Sequence, residues 1–435
     1  MRESIEIGRH PVAFVKDVCV RMESGFAAGR QDQAGDETNG VPHIRPLNIT
    51  SLGELTFDGT KYVPRASMKP GERLAKGEVL FNNTNSTEWV GKTTVFPGGR
   101  DSACSNHITR LVVDEARVMP DYLAALFNAL RGLGLFGLLS TNFNNQAGIN
   151  TTTLGELRIP LPLIGAQRLL LKELQAARNA CDAKLAQAHA LLNGIDNLVL
   201  AELGLPQPTA DGRLAYAVPL DGIKTRLNAE YYHPERVLAV RAMEQARGRF
   251  NTARLGSMAD FMRDTVKASE NSRYLGLASI EPNTGELTGQ HETASGLAFT
   301  FQKDDILFSR LRPYLNKVRR AEEPGICSTE FHVIRIKKGL PYAVFPEYLA
   351  CLLRSSPILA QTRHMMTGNT HPRLANKDVV DLVVPIADEA VQKRIANNVA
   401  KGKEQVRCMR AEAAALWAQA LEDFESKLLG KGAKS

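Results

Sequence analysis

The chain has 435 residues, of which 43% are hydrophobic and 23% charged, as in a globular protein of two to four domains. No run approaches 18 apolar residues and the N-terminus lacks the apolar core of a signal peptide, so we predict a cytoplasmic protein without a membrane span. The net charge of +7 is compatible with polyanion binding, and the six cysteines form no CxxC pair or disulfide framework.

Residues 1–160 are predicted to form a first mixed α/β domain. Strands are expected at Glu78–Phe81 and His107–Val113, and one helix begins at Pro120. The helix ends in GLGLFG (132–137), which matches GxGxxG. A dinucleotide-binding loop follows a strand and opens a helix, whereas this segment follows a helix. We therefore interpret these glycines as a helix terminator.

A segment of different composition follows at 161–204 and is rich in Ala, Leu, Gln, Lys and Glu. Its apolar residues recur at alternating spacings of four and three, with Lys184 as the break, which is a heptad pattern. The predicted seam includes Leu170, Leu174, Cys181, Leu191 and Ile195. The C-terminal segment, 387–435, carries a second seam with Ile395, Val399, Val406, Met409 and Leu416. Matched seams predict two long helices in an antiparallel coiled coil; two amphipathic helices on separate cores are the alternative.

After a Pro/Gly-rich linker at 205–225, a second domain at 226–386 repeats the first. KGEVLF (76–81) returns as KDDILF (303–308), and PDYLAALF (120–127) as PEYLACLL (346–353). Three pairs are each 225 positions apart: His107 and His332, Pro160 and Pro385, Gln167 and Gln392. The predicted fold class is α+β, with two mixed α/β domains alternating with two long helices in an internal pseudo-two-fold repeat. Two similar domains in one chain are suited to binding a ligand that itself has two parts.

Enzyme signatures are missing from the sequence. It contains no phosphate-binding loop, HExxH, GxSxG, paired metal-ligand spacing or Asn/Asp-Pro-Pro-aromatic element of amino-methyltransferases. His107 and His332 lie in apolar strand patterns, as structural histidines do. We therefore expect no catalytic residues, no metal and no cofactor in this chain.

Polar loops after the repeated strand are the candidate DNA-binding elements, because Asn, Ser, Thr, Arg and Lys bond base edges and phosphates. The candidates are Asn82, Asn83, Asn85, Ser86 and Lys92 in the first copy, and Ser309, Arg310, Arg312, Tyr314 and Lys317 in the second. A second polar cluster before each long helix adds Asn144, Asn145 and Gln146, and Asn369, His371 and Arg373. Aligning the Leu-Phe pairs places Asn83 opposite Arg310 and Asn85 opposite Arg312. Asparagine suits adenine and arginine suits guanine, so the two copies would read different sequences; solvated surface loops are the alternative.

The order of these segments resembles the target recognition domains of type I restriction-modification specificity subunits. The shared elements are a DILF strand, a loop with asparagines or arginines, a Pro-aromatic-Leu helix, and an (I/V)-P segment followed by glutamine and a long helix. The last element reads LGELRIPLPLIGAQ (154–167) and VVDLVVPIADEAVQ (379–392), and RLNAEYYHPE (226–235) resembles the family's entry into its second domain.

This resemblance implies a non-catalytic subunit in which each recognition domain reads one half of an asymmetric bipartite DNA site. It implies that the helices set the gap and dock two methyltransferase subunits, which carry S-adenosylmethionine, and that restriction/translocase subunits complete the complex. Three features depart from the pattern: Asn228 replaces an aspartate, ADEA (387–390) replaces a proline-rich link, and Gly402 interrupts the second helix. The alternatives are an adaptor of another defence system or a self-contained nuclease or methyltransferase.

Overall fold

The computed structural model of the protein describes residues 10–29, 33, 36–143, 146–209, 212–213, 215–223, 226–246, 250–268, 274–290, 292, 294, 296–368 and 370–429. The chain divides into two compact units. Unit 1 comprises Met1–Ala183 and Glu412–Ser435, and unit 2 comprises Lys184–Ala411. None of the helices in the described ranges is long and apolar enough to cross a membrane.

Short strands build most of unit 1. They are β1 (Val12–Phe14), β2 (Cys19–Ser24), β3 (Gly40–Ile44), β4 (Lys61–Pro64), β5 (Val79–Asn82), β6 (Thr84–Asn85), β7 (Thr93–Val95), β8 (Ala103–Cys104), β9 (Ile108–Val113), β10 (Thr141–Phe143), β11 (Gln146–Gly148) and β12 (Arg158–Pro160). The central sheet is antiparallel in the order β2-β9-β5-β7. A second sheet has the order β4-β3-β8, a third β10-β11-β6, and β1 pairs with β12.

Helix α1 (Pro120–Gly132) covers the central sheet of unit 1, followed by the short helices α2 (Leu135–Leu139) and α3 (Thr151–Gly155). Proline at the first position of α1 fits a helix start, because that residue needs no intrahelical N–H bond. Gly134 lies between α1 and α2 with φ of 78°, a conformation that glycine adopts without steric cost. Phe81, Phe127 and Phe136 pack edge to face in the core, with ring centroids 5.0 to 5.7 Å apart.

The strands of unit 2 are β13 (Asn251–Arg254), β14 (Ala259–Met262), β15 (Thr265–Lys267), β16 (Tyr274–Leu275), β17 (Leu297–Phe301), β18 (Ile306–Ser309), β19 (Val318–Arg320), β20 (Gly325–Ser328), β21 (Phe331–Ile336) and β22 (Val383–Ile386). The antiparallel sheet β14-β21-β18-β19 has the same strand order as the central sheet of unit 1. A second sheet runs β15-β17-β20-β16, and β13 pairs with β22 as β1 pairs with β12.

The helices of unit 2 are α5 (Pro234–Gln245), α6 (Leu255–Met258), α7 (Pro346–Arg354), α8 (Ser356–Thr362) and α9 (Asn376–Val380). Helix α7 buries Tyr348 and Leu352 in a core that also contains Ile306 and Ile334 of the central sheet. The long helices are α4 (Ile164–Leu203) and α10 (Glu389–Leu429). Gly402 lies inside α10 and does not interrupt it.

The repeat is exact at two buried side chains. In unit 1, Tyr122 donates its hydroxyl hydrogen to the carbonyl oxygen of Pro160 (2.8 Å), and in unit 2 Tyr348 donates to Pro385 (3.0 Å). A glutamine in the first turn of each long helix makes three equivalent bonds. Gln167 accepts from Met119 N and donates to Arg117 O and Pro162 O; Gln392 accepts from Phe345 N and donates to Ala343 O and Ala387 O.

Strand register corrects one predicted equivalence. Phe81 pairs with Thr109, whereas Phe308 pairs with His332. His332 therefore occupies the position of Thr109 and not that of His107, although the histidines are 225 residues apart in sequence. The reason is that the connection between β5 and β9 is four residues longer than that between β18 and β21, while compensating length differences lie later in the repeat.

The two long helices pair antiparallel within each unit. In unit 1, Leu170 near the start of α4 shares a core cluster with Phe424 and Leu428 near the end of α10. In unit 2, Glu202 near the end of α4 pairs with Arg394 near the start of α10 (2.7 Å). The predicted fold class is thus confirmed, including the coiled-coil packing of the helices.

Most predicted seam residues are buried or half-buried. Leu170, Cys181, Ile395, Val399 and Val406 are buried, and Leu174, Leu191, Ile195 and Met409 are half-buried. Ile395 and Val399 pack in the main core of unit 2 together with Val199 of α4. Leu416 is the exception, with 40% of its surface exposed. Its neighbour Trp417 lies under the Arg178 guanidinium, 5.4 Å from the ring centroid, so Trp417 makes the interhelical contact that the heptad pattern assigned to Leu416.

An ion pair at an equivalent place also joins each long helix to the mixed α/β part of the same unit. Arg178 of α4 pairs with Glu54 in unit 1, and Lys403 of α10 pairs with Glu286 (3.0 Å) in unit 2. Each glutamate precedes a leucine that forms an isolated antiparallel bridge, Leu55 to Ile49 and Leu287 to Ile280. Arg178 follows Gln167 by eleven residues, and Lys403 follows Gln392 by the same number. The ion pair therefore contacts the same turn of the long helix in both copies.

Candidate nucleic-acid interface

The first polar loop follows β5 in unit 1, and three of its candidate side chains are buried. Asn82 donates through Nδ2 to the carbonyl oxygen of Trp89 (2.9 Å), and Asn83 donates to Thr109 Oγ1 (3.0 Å). Lys92 donates its ammonium hydrogens to carbonyl oxygens of the loop between β3 and β4. A buried polar group that is already hydrogen-bonded is costly to withdraw. These three side chains therefore shape the loop in this structure.

The exposed candidates of the first copy are few. Ser86 and Gln146 are exposed, and Asn85 is half-buried. Asn85 accepts from Ser86 N (2.9 Å), which fixes the start of the loop. Gln146 lies on β11, the strand that pairs with β6, so Gln146 and Asn85 are near one another on one small sheet.

The second polar loop, after β18, presents more charge. Ser309 is buried and donates to Leu311 O (2.6 Å), and Lys317 donates to Leu277 O (2.6 Å). By contrast, Arg310, Arg312 and Tyr314 are exposed. Among the described residues, the guanidinium groups of Arg310 and Arg312 make no hydrogen bond or ion pair. They are free to bond a ligand.

A strained turn holds this second loop. Arg312 and Asn316 have φ of 47° and 52°, in the left-handed region that non-glycine residues rarely adopt. They flank the short helical turn Pro313–Leu315, which places Tyr314 on the surface. Asn316 is buried, and its side chain donates to Arg354 O (2.8 Å). Such strain persists only where the surroundings enforce it, so we expect a specified loop shape.

The backbone confirms that Asn83 and Arg310 occupy the same place in the two copies. Each residue donates its N–H to the segment that leads into the neighbouring strand, and accepts from the segment before the short helix. The bonds are Asn83 N to His107 O (3.0 Å) and Ile149 N to Asn83 O (2.9 Å), and Arg310 N to Glu330 O (2.8 Å) and Leu374 N to Arg310 O (3.0 Å). These backbone hydrogen bonds form a frame that is common to both copies, while the side chains carried at this position differ.

The second polar cluster is only partly described. Asn144, Asn145 and Asn369 lie outside the described residues. His371 is exposed, and Arg373 bonds both carboxylate oxygens of Glu330 at 2.6 to 3.1 Å. The Arg373 guanidinium holds the pKa of Glu330 below its usual value, because it stabilises the ionised carboxylate.

Sequence reasoning missed an ion pair at the start of the strand that leads into each loop, in which the carboxylate is buried in both copies. Arg110 binds Glu78 through two bonds of 2.8 Å in unit 1, and Arg335 binds Asp305 at 2.6 and 2.8 Å in unit 2. Bidentate pairs of this kind orient both partners. Both acidic residues follow the repeated lysine of KGEVLF and KDDILF, and this recurrence is the signal that could have found them.

One histidine cluster has the residue types of a metal site. His233, Glu235 and His364 offer ligand atoms within 4.8 Å of one another. However, the two imidazole rings stack with centroids 3.4 Å apart and planes inclined by 14°. A metal ion lies in the plane of each imidazole that binds it, and two nearly parallel planes do not meet at such a point. Glu235 instead pairs with Arg363 (2.6 Å) and His364 (2.8 Å).

No family model matches this chain. A curated protein of Methanocaldococcus jannaschii, provisionally named type I restriction enzyme MjaX specificity subunit, is 28% identical over 179 residues, which are 38% of this chain. The chain spans about two fifths, 40%, of the length of that relative.

Solved structures resemble the chain over nearly its whole length. A chain from a structure on complex assembly and conformational transition of the type I R-M system is 14% identical, with a TM-score of 0.50, over 98% of this chain and 97% of that one. The S subunit of a type I restriction-modification system from M. genitalium is 12% identical, with a TM-score of 0.42, over 96% of each chain. The resemblance predicted from the motifs is thus confirmed, by sequence over part of the chain and, through the structure with the TM-score of 0.50, by fold over nearly all of it.

Proposed function

We propose that this chain is the DNA sequence-specificity subunit of a type I restriction-modification complex and carries out no chemistry itself. The observation that supports this proposal most strongly is that the two polar loops have equivalent backbone frames but carry different side chains on them. Asn83 and Arg310 lie at one frame position, and Asn85 and Arg312 follow two residues later. A protein in which each domain contacts one half-site through different side chains recognises an asymmetric site in two parts.

The exposed side chains and the half-buried Asn85 are assigned to DNA contact, and the buried side chains to loop shape. Arg310 and Arg312 are suited to bidentate bonds with guanine O6 and N7, and Asn85 and Gln146 to adenine N6 and N7. The excess of positive charge favours the phosphate backbone, so binding should weaken as salt rises. A partner that modifies a base must extrude it from the stack, which bending by the recognition domains would assist.

In this proposal the long helices set the separation of the half-sites and dock the partner subunits. The glutamine and ion-pair contacts attach each recognition fold to a definite turn of helix. Apolar side chains also remain exposed on the helices, including Leu169 and Leu416. These are candidate contacts for two methyltransferase subunits, with restriction/translocase subunits completing the complex in the cytoplasm.

Modified-base sequencing of the host genome, with and without the gene, tests the proposal. A split, asymmetric methylated motif that disappears on deletion is the expected result. An unchanged methylome, together with co-purification of a different effector, would instead assign the chain to another defence system. The purified chain is also incubated with DNA and labelled S-adenosylmethionine, and turnover without partners would contradict a non-catalytic role.

A further inference from the structure

Three neighbouring positions at one end of the central sheet carry neutral residues in unit 1 and basic residues in unit 2. Ser24, Asn83 and Thr109 form the neutral set, and Arg310 and His332 stand at the places of Asn83 and Thr109. Arg263 follows Met262, which pairs with Val333, so continuing this register by one residue places Arg263 opposite His332 as Ser24 is opposite Thr109. In unit 1 the Asn83 amide donates to Thr109 Oγ1 (3.0 Å) and Ser24 Oγ (3.5 Å). Asn83 also donates to Asn106 O (3.1 Å) and accepts from Thr84 Oγ1 (2.8 Å), so its amide is hydrogen-bonded without a ligand.

In unit 2 the basic set lines a small cavity of about 90 Å³. Its walls include Phe261, Phe299 and Phe331, and Asn376 lies beside His332. Arg263 and Arg310 are exposed, and among the described residues neither guanidinium makes a hydrogen bond or ion pair. Two unpaired cations therefore border a recess that has no carboxylate in its lining.

The protonation state of His332 indicates that the recess lacks a negative charge. Its Nε2 lies 3.2 Å from Leu374 O, and since a carbonyl oxygen only accepts, Nε2 carries the hydrogen. Burial, together with the charges of Arg310 and Arg263, lowers the pKa of His332 to about 4, so Nδ1 carries no proton at neutral pH. Oδ1 of Asn376 is buried without a partner.

One bound anion would satisfy all of these groups. Negative charge between the arginines would offset their repulsion of an imidazolium, and His332 could then donate Nδ1–H to Asn376 Oδ1. The acidic residue nearby is Glu330, whose carboxylate is already bonded by Arg373 on both oxygens. Glu330 lies close enough to influence Arg310 and His332 electrostatically, but it supplies neither of them with an ion pair.

We propose that this cavity is an anion site of the second recognition domain, sized for one phosphate group, and that the first domain lacks it. The space is smaller than the apolar cavity of about 150 Å³ that is known to hold benzene, so it fits a single phosphate group better than an extruded base. The volume of 90 Å³ admits a few water-sized atoms, as in the oxygens of one phosphate. A DNA backbone phosphate is one source, which rests on the proposed function, and free phosphate is the other.

Titration of the full chain with inorganic phosphate at constant ionic strength tests the site. Histidine NMR at pH 7 follows His332, whose signal is identified by its loss in His332→Thr. We expect a saturable shift toward the protonated form, at least tenfold weaker in Arg263→Ser/Arg310→Asn and within twofold of wild type in Lys338→Ala, which removes an exposed charge elsewhere. If the double variant fails to fold, Arg263→Gln alone carries the same expectation of weakened binding.

An absent shift in the wild-type chain, or one unchanged in the arginine variants, overturns the proposal. DNA binding by fluorescence anisotropy then separates the two sources. Duplex DNA that displaces phosphate, with a salt slope reduced by about one in Arg263→Gln, supports a backbone phosphate. Phosphate binding that DNA does not displace supports free phosphate. A chain that binds no DNA would refute the proposed function, while the phosphate titration still decides on the cavity.

Discussion

Replacing Gln167 by leucine removes the side chain that joins the first turn of α4 to the mixed α/β part of unit 1. Gln167 is fully buried; it accepts from Met119 N (2.8 Å) and donates to Arg117 O (2.9 Å) and Pro162 O (2.8 Å). Leucine has a similar size but offers no donor or acceptor. The substitution therefore leaves one backbone N–H and two carbonyl groups without these partners.

The expected cost follows from the number of bonds. Each lost hydrogen bond is worth about 1 kcal/mol, and buried backbone groups left unsatisfied add to that, so Gln167→Leu should destabilise unit 1 by about 3 kcal/mol or more. With a denaturant dependence of about 2 kcal/mol per molar urea, the unfolding midpoint should fall by roughly 1.5 M.

Tryptophan fluorescence is a suitable assay, because both tryptophans of the chain, Trp89 and Trp417, belong to unit 1. The matched control is Gln175→Leu on the same helix, where the exposed amide bonds, within the described part of the chain, only the side chain of Asn179 (2.9 Å). That control should shift the midpoint by less than about 0.3 M, as surface changes do. A shift below about 0.5 M for Gln167→Leu would refute the assigned role of its three hydrogen bonds.

Three further predictions concern recognition, spacing and pH. Arg310→Ala and Arg312→Ala should each cost about 1–3 kcal/mol of discrimination at the second half-site only, as measured by methylome sequencing; loss at both halves would contradict the assignment. Insertion of one heptad into both long helices adds about 10.5 Å of rise and should lengthen the tolerated gap between the half-sites by about three base pairs. An unchanged gap would show that the helices do not set the distance between the half-sites. The Arg410 guanidinium lowers the pKa of Glu281, so their ion pair stabilises unit 2 above the ordinary glutamate pKa and is lost as pH falls through the lowered value. Arg410→Met should therefore destabilise unit 2 more at pH 7 than at pH 3 in urea unfolding followed by circular dichroism, and an equal loss at both pH values would contradict this.

Long elements were predictable from sequence because their signals are local and repeated. Heptad spacing located α4 and α10, and a proline located the start of α1. The heptad pattern failed at Leu416, where a cation–π contact between Arg178 and Trp417 forms instead. That contact depends on which turns of the two helices meet, and one helix sequence does not contain this information.

Individual site residues were less predictable than the loops that carry them. Composition selected Asn83 and Arg310 together, yet Asn83 is buried against Thr109 and Arg310 is exposed. Arg263 was missed altogether, because it becomes a neighbour of Arg310 only when β14 and β18 pair with the same strand, β21. Burial and strand pairing are long-range properties, so neither follows from residue type.

The sequence by itself determined the repeat, the two long helices, the equivalent positions of the two polar loops and the resemblance to specificity subunits. These properties depend on segment order and on periodicity along the chain. Tertiary structure alone decided which polar side chains remain free, because each buried amide or ammonium must find a partner inside the fold. It also placed His332 opposite Phe308 and beside two unpaired arginines, since strand register, and not spacing along the sequence, determines which residues face one another.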